Sequence, residues 1–139
     1  MVTIDGFLDA VRAWAATRPD LEAILLVGSH ARGTATGSSD VDLVLLVQTP
    51  ELYVQDIDWA RAFGLLKRWR VEDWGAVSSL RAWYEDGPEI EFGFATPDWA
   101  AAPLDRGTRQ VLADGFMVIY DRAGTLQTSL EALVRSAAS

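Results

Sequence analysis

The chain has 139 residues, of which 50% are hydrophobic and 23% charged, and this length suits one globular domain (1–139) with a buried core. Its net charge of −8 argues against extended binding to DNA or RNA, where phosphate neutralisation supplies most of the affinity. The absence of cysteine excludes disulfides and thiolate metal sites. No signal peptide and no apolar run of roughly 20 residues is visible, so we expect a soluble, cytoplasmic protein without a membrane partner.

The first predicted element is an amphipathic helix. Apolar residues recur at helical spacing from residue 4 to residue 15, and Thr3 stands where an N-cap is needed. Pro19-Asp20 ends this segment, because such a pair marks a turn.

Two buried strands follow, at 25–27 and 41–47. Both are short aliphatic runs bounded by small polar residues, a pattern typical of strands in a sheet covered on both faces. Between them, Ser29 is expected to begin a short helix. A loop then follows, formed by Gly33, Thr34, Thr36, Gly37, Ser38 and Ser39.

Thr49-Pro50 ends the second strand, and residues 56–70 predict a helix. Four apolar side chains of this segment, Trp59, Ala60, Phe63 and Leu66, would share one face. Its basic residues, Lys67, Arg68 and Arg70, would then lie at a solvated helix end, with a phosphate contact as the alternative.

The next segments, 77–84 and 90–95, predict a β-hairpin around Glu85-Asp86-Gly87-Pro88. Alternation in its second strand puts the hydrophobic residues Ile90, Phe92 and Phe94 on one face and Glu89, Glu91 and Gly93 on the other. A helix at 104–114 ended by Gly115, a strand at 116–120 and a final helix at 126–134 complete the predicted elements.

A pair of carboxylates, Asp40 and Asp42, opens the second strand. Both side chains should point to the same face, about 7 Å apart along the strand, and they repel unless a cation lies between them. Magnesium suits such hard oxygen ligands, and it commonly arrives with substrate phosphates. The plainer interpretation is two strand-end acids facing water. A calcium EF-hand is excluded because its loop spacing and glutamate are missing.

The order Gly28-Ser29, ten residues, then Asp40-x-Asp42 resembles the signature of the nucleotidyltransferase superfamily that includes DNA polymerase β. The string G-S-H-A-R-G…S-D-V-D-L is similar to that of minimal nucleotidyltransferases and aminoglycoside adenylyltransferases. The resemblance is sharpest over residues 27–46 and extends more loosely to about residue 120. It implies the nucleotidyltransferase fold, an α/β (α+β) arrangement with a small mixed sheet of about four to five strands flanked by helices.

In that family the Gly-Ser turn binds the nucleotide's phosphates. Gly28 would let the backbone approach a phosphate closely, and Ser29 would add a hydroxyl donor at a helix start, although a simple strand-ending turn is the plainer alternative. Arg32, within the same string, is a candidate for pairing with a phosphate. No Walker loop is present, because no G-K-[ST] follows.

The resemblance also implies a third acid on a neighbouring strand, for which Glu89 and Glu91 compete. Alternation does not separate them, since both should face the same way. The family pattern is an acid between two hydrophobic residues, which favours Glu91. The family more often has Asp here, so the role of the longer Glu91, as metal ligand or as base, stays open.

The resemblance carried by these residues implies a Mg²⁺-dependent nucleotidyltransferase that moves AMP from ATP, or from another NTP, to a hydroxyl of a small molecule or protein. Two Mg²⁺ ions would be held by Asp40, Asp42 and Glu91. A homodimer or a helical partner protein could complete the site. The rivals are a non-catalytic nucleotide- or partner-binding module, such as an antitoxin-type minimal nucleotidyltransferase with a helical partner, and a metal-dependent hydrolase.

His30, the sole histidine, is expected to face solvent rather than to act as a ligand or base. Trp59 is expected in the core. The remaining candidates for a surface on which a base or an acceptor could stack are Trp69, Trp74, Trp83 and Trp99.

Overall fold

The computed structural model describes residues 3–36, 39–73, 77–85 and 87–138. The helices are α1 (Ile4–Ala15), α2 (Ser29–Arg32), α3 (Glu51–Gln55), α4 (Arg106–Asp114) and α5 (Leu126–Ala138), and two 3₁₀ helices span Asp58–Phe63 and Pro97–Ala100. The strands are β1 (Leu21–Val27), β2 (Val41–Val47), β3 (Leu66–Asp73), β4 (Ser78–Tyr84), β5 (Glu89–Ala95) and β6 (Phe116–Asp121).

These six strands form one sheet in the order β3-β4-β5-β2-β1-β6. The central pair, β2 and β5, is parallel, and the other neighbours are antiparallel. The predicted mixed sheet flanked by helices is confirmed, but the expected count of about four to five strands was too low. The parallel pairing brings the starts of β2 and β5 side by side, which decides where the acids meet.

The N-terminal helix forms as predicted. Thr3 Oγ1 accepts a hydrogen bond of 3.0 Å from the Gly6 N–H, which satisfies one of the free donors at a helix start. The helix then buries its apolar stripe against the sheet, through Phe7, Leu8, Val11 and Ala15.

The sheet carries a hydrophobic core on each face. One core is rich in aromatic rings, with Phe92 packed edge-on against Trp59 at a centroid distance of 4.9 Å. The other is largely aliphatic and joins Val44 of β2 with Leu112 of α4 and Leu130 of α5. Because both faces are covered, β1 and β2 are apolar along most of their length, as the sequence predicted.

The predicted helix at 56–70 is wrong. A short 3₁₀ helix, Asp58–Phe63, accounts for the helical spacing around Trp59, and Gly64 follows with φ at 147°, in the region that favours glycine. The chain then continues as β3, an edge strand paired with β4. The alternation of Arg68, Trp69, Arg70, Val71 and Glu72 is a strand pattern, which the helical spacing of the preceding residues obscured.

The predicted hairpin is confirmed as β4 and β5, which pair antiparallel. Ile90, Phe92 and Phe94 are fully buried on one face, as alternation required. Asp86, in its turn, lies outside the described residues, as do Gly37 and Ser38 of the earlier loop and Trp74.

The last third of the chain also follows the prediction. Helix α4 begins at residue 106 rather than 104 because the Asp105 carboxylate caps it, accepting hydrogen bonds from the N–H groups of Gly107 and Thr108. The final helix, α5, extends to residue 138 rather than 134. Along the described residues, none of the helices combines the length and apolar character needed to traverse a bilayer.

Candidate functional site

Three carboxylates meet where β2 and β5 begin. Asp42 of β2 and Glu91 of β5 occupy paired positions of the parallel register, so their side chains leave the same face of the sheet. Asp40 lies just before β2, and one oxygen from each of the three carboxylates lies within 4.8 Å of the others. The structure therefore gathers the two acids of the motif with Glu91, the residue favoured as the third acid.

The Gly28 turn lies directly beside this acidic group. Val27 pairs with Asp42 across β1 and β2, and Gly28 follows with φ at 75° and ψ at −157°, a conformation that is essentially limited to glycine. A Cβ on Gly28 would lie 2.3 Å from Asp42 Oδ2. Glycine is thus required here both by the backbone conformation and by the close approach of Asp42. Ser29 begins α2, as predicted.

Sequence reasoning missed Arg81, which lies among the acids. Arg81 of β4 is paired with Glu91 across β4 and β5, and its guanidinium donates to Glu91 Oε2 at 2.7 Å and to Asp40 Oδ2 at 3.1 Å. It also donates to Glu89 and lies 3.6 Å from Glu72 Oε1. Only 20% of the Arg81 side chain is exposed. An arginine inside the otherwise apolar run of β4 was the available signal, but its partners come from other strands.

Charge around this guanidinium is unbalanced. Five carboxylates, from Asp40, Asp42, Glu72, Glu89 and Glu91, surround Arg81, and a second cation, Arg70, contacts Glu72 at 3.3 Å, so the group carries −5 + 2 = −3 when every acid is ionised. Cationic ligands are therefore strongly favoured at this place.

Burial and this excess of negative charge shift the pKa values of Asp42 and Arg81. Burial, together with the charges of Asp40 and Glu91, raises the pKa of Asp42 to about 7, with Arg81 opposing the rise. For Arg81, burial alone would lower the pKa, but its hydrogen bonds to Glu89 and Asp40 and the charge of Glu91 outweigh burial and raise it. The metal-free site consequently holds a proton on Asp42 near neutral pH, in place of a cation.

The two glutamates of β5 have different surroundings. Glu91 faces Asp42 and belongs to the acidic group. Glu89 lies two residues earlier and accepts hydrogen bonds from Trp83 Nε1, at 2.7 Å, and from Arg81. Glu89 therefore helps to hold Arg81 in place.

The structure does not bring every predicted residue to the acids. Arg32 is exposed, and its aliphatic stem lies beside Gly115, where a Cβ would come within 3.2 Å of Arg32 Cγ. His30, expected to face solvent, is half-buried, and its ring Nε2 lies 3.4 Å from the backbone oxygen of Ser39. This contact connects α2 to the loop that leads into Asp40.

The basic residues expected at a helix end lie on β3 instead. The Arg68 guanidinium lies over the Trp83 ring, 4.1 Å from its centroid, and that of Arg70 lies 5.9 Å from the same ring. Trp59, in contrast, is in the core as predicted, and its Nε1 donates to the Tyr53 backbone oxygen at 2.8 Å.

The sequence matches a known protein family. The family model described as "Nucleotidyltransferase domain" matches residues 9–80, a segment that contains Gly28, Ser29, Asp40 and Asp42. The chain is also similar to 2'-5'-oligoadenylate synthase 3 of Rattus norvegicus, with 34% identity over 98 residues. This match covers 68% of the present chain but 8% of that much longer protein.

Solved structures share the fold. An aminoglycoside 6-adenyltransferase from Bacillus subtilis superposes with a TM-score of 0.59 at 15% identity, over 72% of this chain and 37% of that one. A cytoplasmic RNA terminal U-transferase gives a TM-score of 0.50 at 19% identity, over 81% of this chain and 33% of that one. At such identities the likeness concerns the fold alone. With more than half of its length matched by the family model, the chain belongs to the nucleotidyltransferase domain family.

Proposed function

We propose that the chain is a single nucleotidyltransferase domain, 1–139, that transfers AMP from ATP to a hydroxyl group with the help of Mg²⁺. The observation that carries this proposal is the convergence of Asp40, Asp42 and Glu91 beside the Gly28 turn. Belonging to the nucleotidyltransferase domain family supports the same class of reaction.

The donor set fits magnesium. All three groups offer carboxylate oxygens, the hard ligands that Mg²⁺ prefers, and the arginines nearby leave an excess of negative charge at the site. Two divalent ions held by Asp40, Asp42 and Glu91 would balance this charge. When bound, they would neutralise charge on the transferring phosphate and on the leaving pyrophosphate.

The other protein groups around the acids would bind phosphate, accept a proton or position the acids. Backbone N–H groups of the Gly28–Ser29 turn and the Ser29 hydroxyl would donate to the β- and γ-phosphates, while the missing Cβ of Gly28 leaves room for the Asp42 carboxylate. Glu91 either completes the ligand set or accepts the proton of the attacking hydroxyl. Arg81 fixes the positions of Asp40 and Glu91. Arg32, exposed and three residues after Ser29, would pair with a phosphate of the bound nucleotide.

The acceptor is a hydroxyl of a small molecule or of a protein. The named relatives differ in this respect, since one synthesises 2'-5'-oligoadenylate, one acts on an aminoglycoside and one on RNA. This chain spans 8%, 37% and 33% of their lengths. A second copy of the chain or a helical partner protein could therefore supply part of the acceptor site.

The experiment that tests the proposal measures Mg²⁺-dependent release of pyrophosphate from ATP, and transfer of labelled AMP to a product in a cell extract. Asp42→Asn should abolish both while the fold remains intact, because positioning and charge neutralisation supply most of the catalysis in phosphoryl chemistry. Glu131→Gln, an exposed acid on α5, is the matched control and should leave both unchanged. Wild-type rates in Asp42→Asn would contradict the assignment of the metal ligands.

A non-catalytic binding module is the second candidate, and the ion pairs of Arg81 with Asp40 and Glu91 favour it, since a guanidinium already neutralises part of the site. Such a module would bind ATP yet yield no labelled product with any extract. A hydrolase using the same acids would instead release AMP or inorganic phosphate without labelling an acceptor.

A further inference from the structure

The face of the sheet that carries the acids continues toward β3 as a basic–aromatic patch, formed by Arg68, Arg70 and Trp83. Arg68 pairs with Trp83, and Arg70 pairs with Arg81, across β3 and β4. Arg81 in turn pairs with Glu91 of the acidic group. Since paired residues of neighbouring strands share a face, the patch and the acids lie on the same surface.

A chain of hydrogen bonds joins the patch to the acids. Trp83 Nε1 donates to one oxygen of Glu89 at 2.7 Å, and the other oxygen of Glu89 accepts from Arg81. Arg81 donates in turn to Glu91 at 2.7 Å. Trp83 lies two residues from Arg81 on β4, about 7 Å along the strand. One small molecule can therefore touch the patch and reach the acids.

The chemistry of the patch suits a planar ring that carries an anion. The Arg68 guanidinium lies over the Trp83 ring, 4.1 Å from its centroid, and Arg68 is exposed, so the outer face of this planar cation is open to a second ring. Arg70, which contacts Glu72 at 3.3 Å and keeps 61% of its side chain exposed, offers another cation beside it. The chain as a whole carries −8, so these two arginines suit one nucleotide better than a long polyanion.

If the chain transfers AMP as proposed, the position of the patch assigns it to the acceptor and not to ATP. The sheet order places β1, which leads into Gly28 and Ser29, on one side of the acids and β4 and β3 on the other. In an in-line displacement the attacking hydroxyl approaches opposite the leaving pyrophosphate. With the pyrophosphate at the Gly28 turn, the hydroxyl comes from the side of the patch.

We propose that Arg68, Arg70 and Trp83 form the acceptor-binding surface, and that the acceptor is a nucleotide. Its base stacks on the Arg68–Trp83 pair and its phosphate contacts Arg70. A ribose hydroxyl of this nucleotide then gives its proton to a carboxylate of the acidic group, attacks the α-phosphate of ATP and displaces pyrophosphate, so that a new phosphodiester bond replaces the α–β anhydride bond.

The test is titration calorimetry with AMP as the probe, on protein already saturated with Mg²⁺ and a non-hydrolysable ATP analogue. Arg68→Ala should weaken AMP binding by about tenfold or more, the scale of a lost stacking contact. Arg68→Lys, which keeps the charge but not the planar group, should lose most of the same affinity. Arg61→Ala is the matched control and should change nothing. Its guanidinium also lies over a tryptophan, Trp69, whose partner Ala82 belongs to the opposite face.

Four further ligands define the acceptor. Adenosine, which lacks the phosphate, and ribose 5-phosphate, which lacks the base, should each bind more weakly than AMP. An oligoadenylate of ten residues should bind no tighter than AMP, and tenfold tighter binding would overturn the assignment of a single nucleotide. Binding of a tyrosine-containing peptide without binding of AMP would overturn the nucleotide assignment in favour of a protein acceptor.

Two outcomes separate this inference from the proposed function. If Arg68→Ala weakens binding of the ATP analogue and not of AMP, the patch holds the donor's base and the acceptor assignment is wrong. If Arg68→Ala weakens AMP binding but wild-type protein never releases pyrophosphate, the binding surface stands and the transferase proposal fails.

Discussion

Removing Arg81 should destabilise the metal-free protein, and Mg²⁺ should restore its stability. In Arg81→Met the hydrophobic stem is kept, but the five surrounding carboxylates lose their shared cation. Breaking a fully buried ion pair by removing one partner costs about 3–5 kcal/mol. The Arg81 side chain is 20% exposed and its bonded acids are 19–34% exposed. Solvent therefore screens part of this cost, and we expect about 2–3 kcal/mol.

The assay is thermal unfolding in chelator-treated buffer, repeated with millimolar Mg²⁺. A loss of 2–3 kcal/mol corresponds to a fall in Tm of roughly 6–12 °C for a domain of this size. Arg70→Met is the matched control, because Arg70 is 61% exposed and contacts only Glu72 among the acids, at 3.3 Å. An exposed pair of this kind contributes about 0–1 kcal/mol.

Mg²⁺ should raise the Tm of Arg81→Met more than that of wild-type protein, since the cation replaces the missing guanidinium charge. If Arg81→Met unfolds at the same temperature as Arg70→Met, or if Mg²⁺ stabilises it no more than wild type, Arg81 does not offset the repulsion among the surrounding carboxylates.

Two further predictions concern the same acids. Because the pKa of Asp42 is raised to about 7 from 3.8, its carboxyl favours folding while protonated, so the stability of the metal-free protein should fall as pH rises from about 4 to about 7. Metal binding at pH 6 should accordingly release about one proton, measured by calorimetry in buffers of different ionisation enthalpy, and no release would refute the shift. Gly28→Ala would place a Cβ 2.3 Å from Asp42 Oδ2 at a φ of 75°, so it should cost about 1–3 kcal/mol in urea unfolding and abolish pyrophosphate release. In contrast Gly33→Ala, at a φ of 77° with open space around it, should cost less stability and preserve activity.

Local sequence revealed the parts of the site that lie close together along the chain. Gly28, Ser29, Asp40 and Asp42 fall within fifteen residues, and the alternation of β2 alone gave the direction of Asp42. Glu91 was favoured over Glu89 through a resemblance, since alternation treats the two alike. What separates them physically is the register of the parallel pair, in which Asp42 faces Glu91.

One strand was misassigned and one residue of the site was missed. In the edge strand β3, Trp69 and Val71 alternate with Arg68, Arg70 and Glu72, which is a strand pattern. The helical spacing around Trp59 was extended across it, and the alternation was overlooked. Arg81 was overlooked for a different reason, since every acid that surrounds it comes from another segment of the chain.

The aromatic core and the acidic site lie on opposite faces of one sheet. The metal-binding acids can therefore lower the stability of the metal-free protein without being part of that core. Ile90 and Phe92 of β5 are fully buried in the aromatic core, whereas Glu91 between them faces the acids on the other side. Asp42 gains nothing from its place in the metal-free fold, where burial and two neighbouring carboxylates raise its pKa. Asp42→Asn should therefore raise the Tm of the metal-free protein at pH 8 while abolishing pyrophosphate release. A lower Tm at that pH would mean that the Asp42 carboxylate stabilises the fold even without a bound metal.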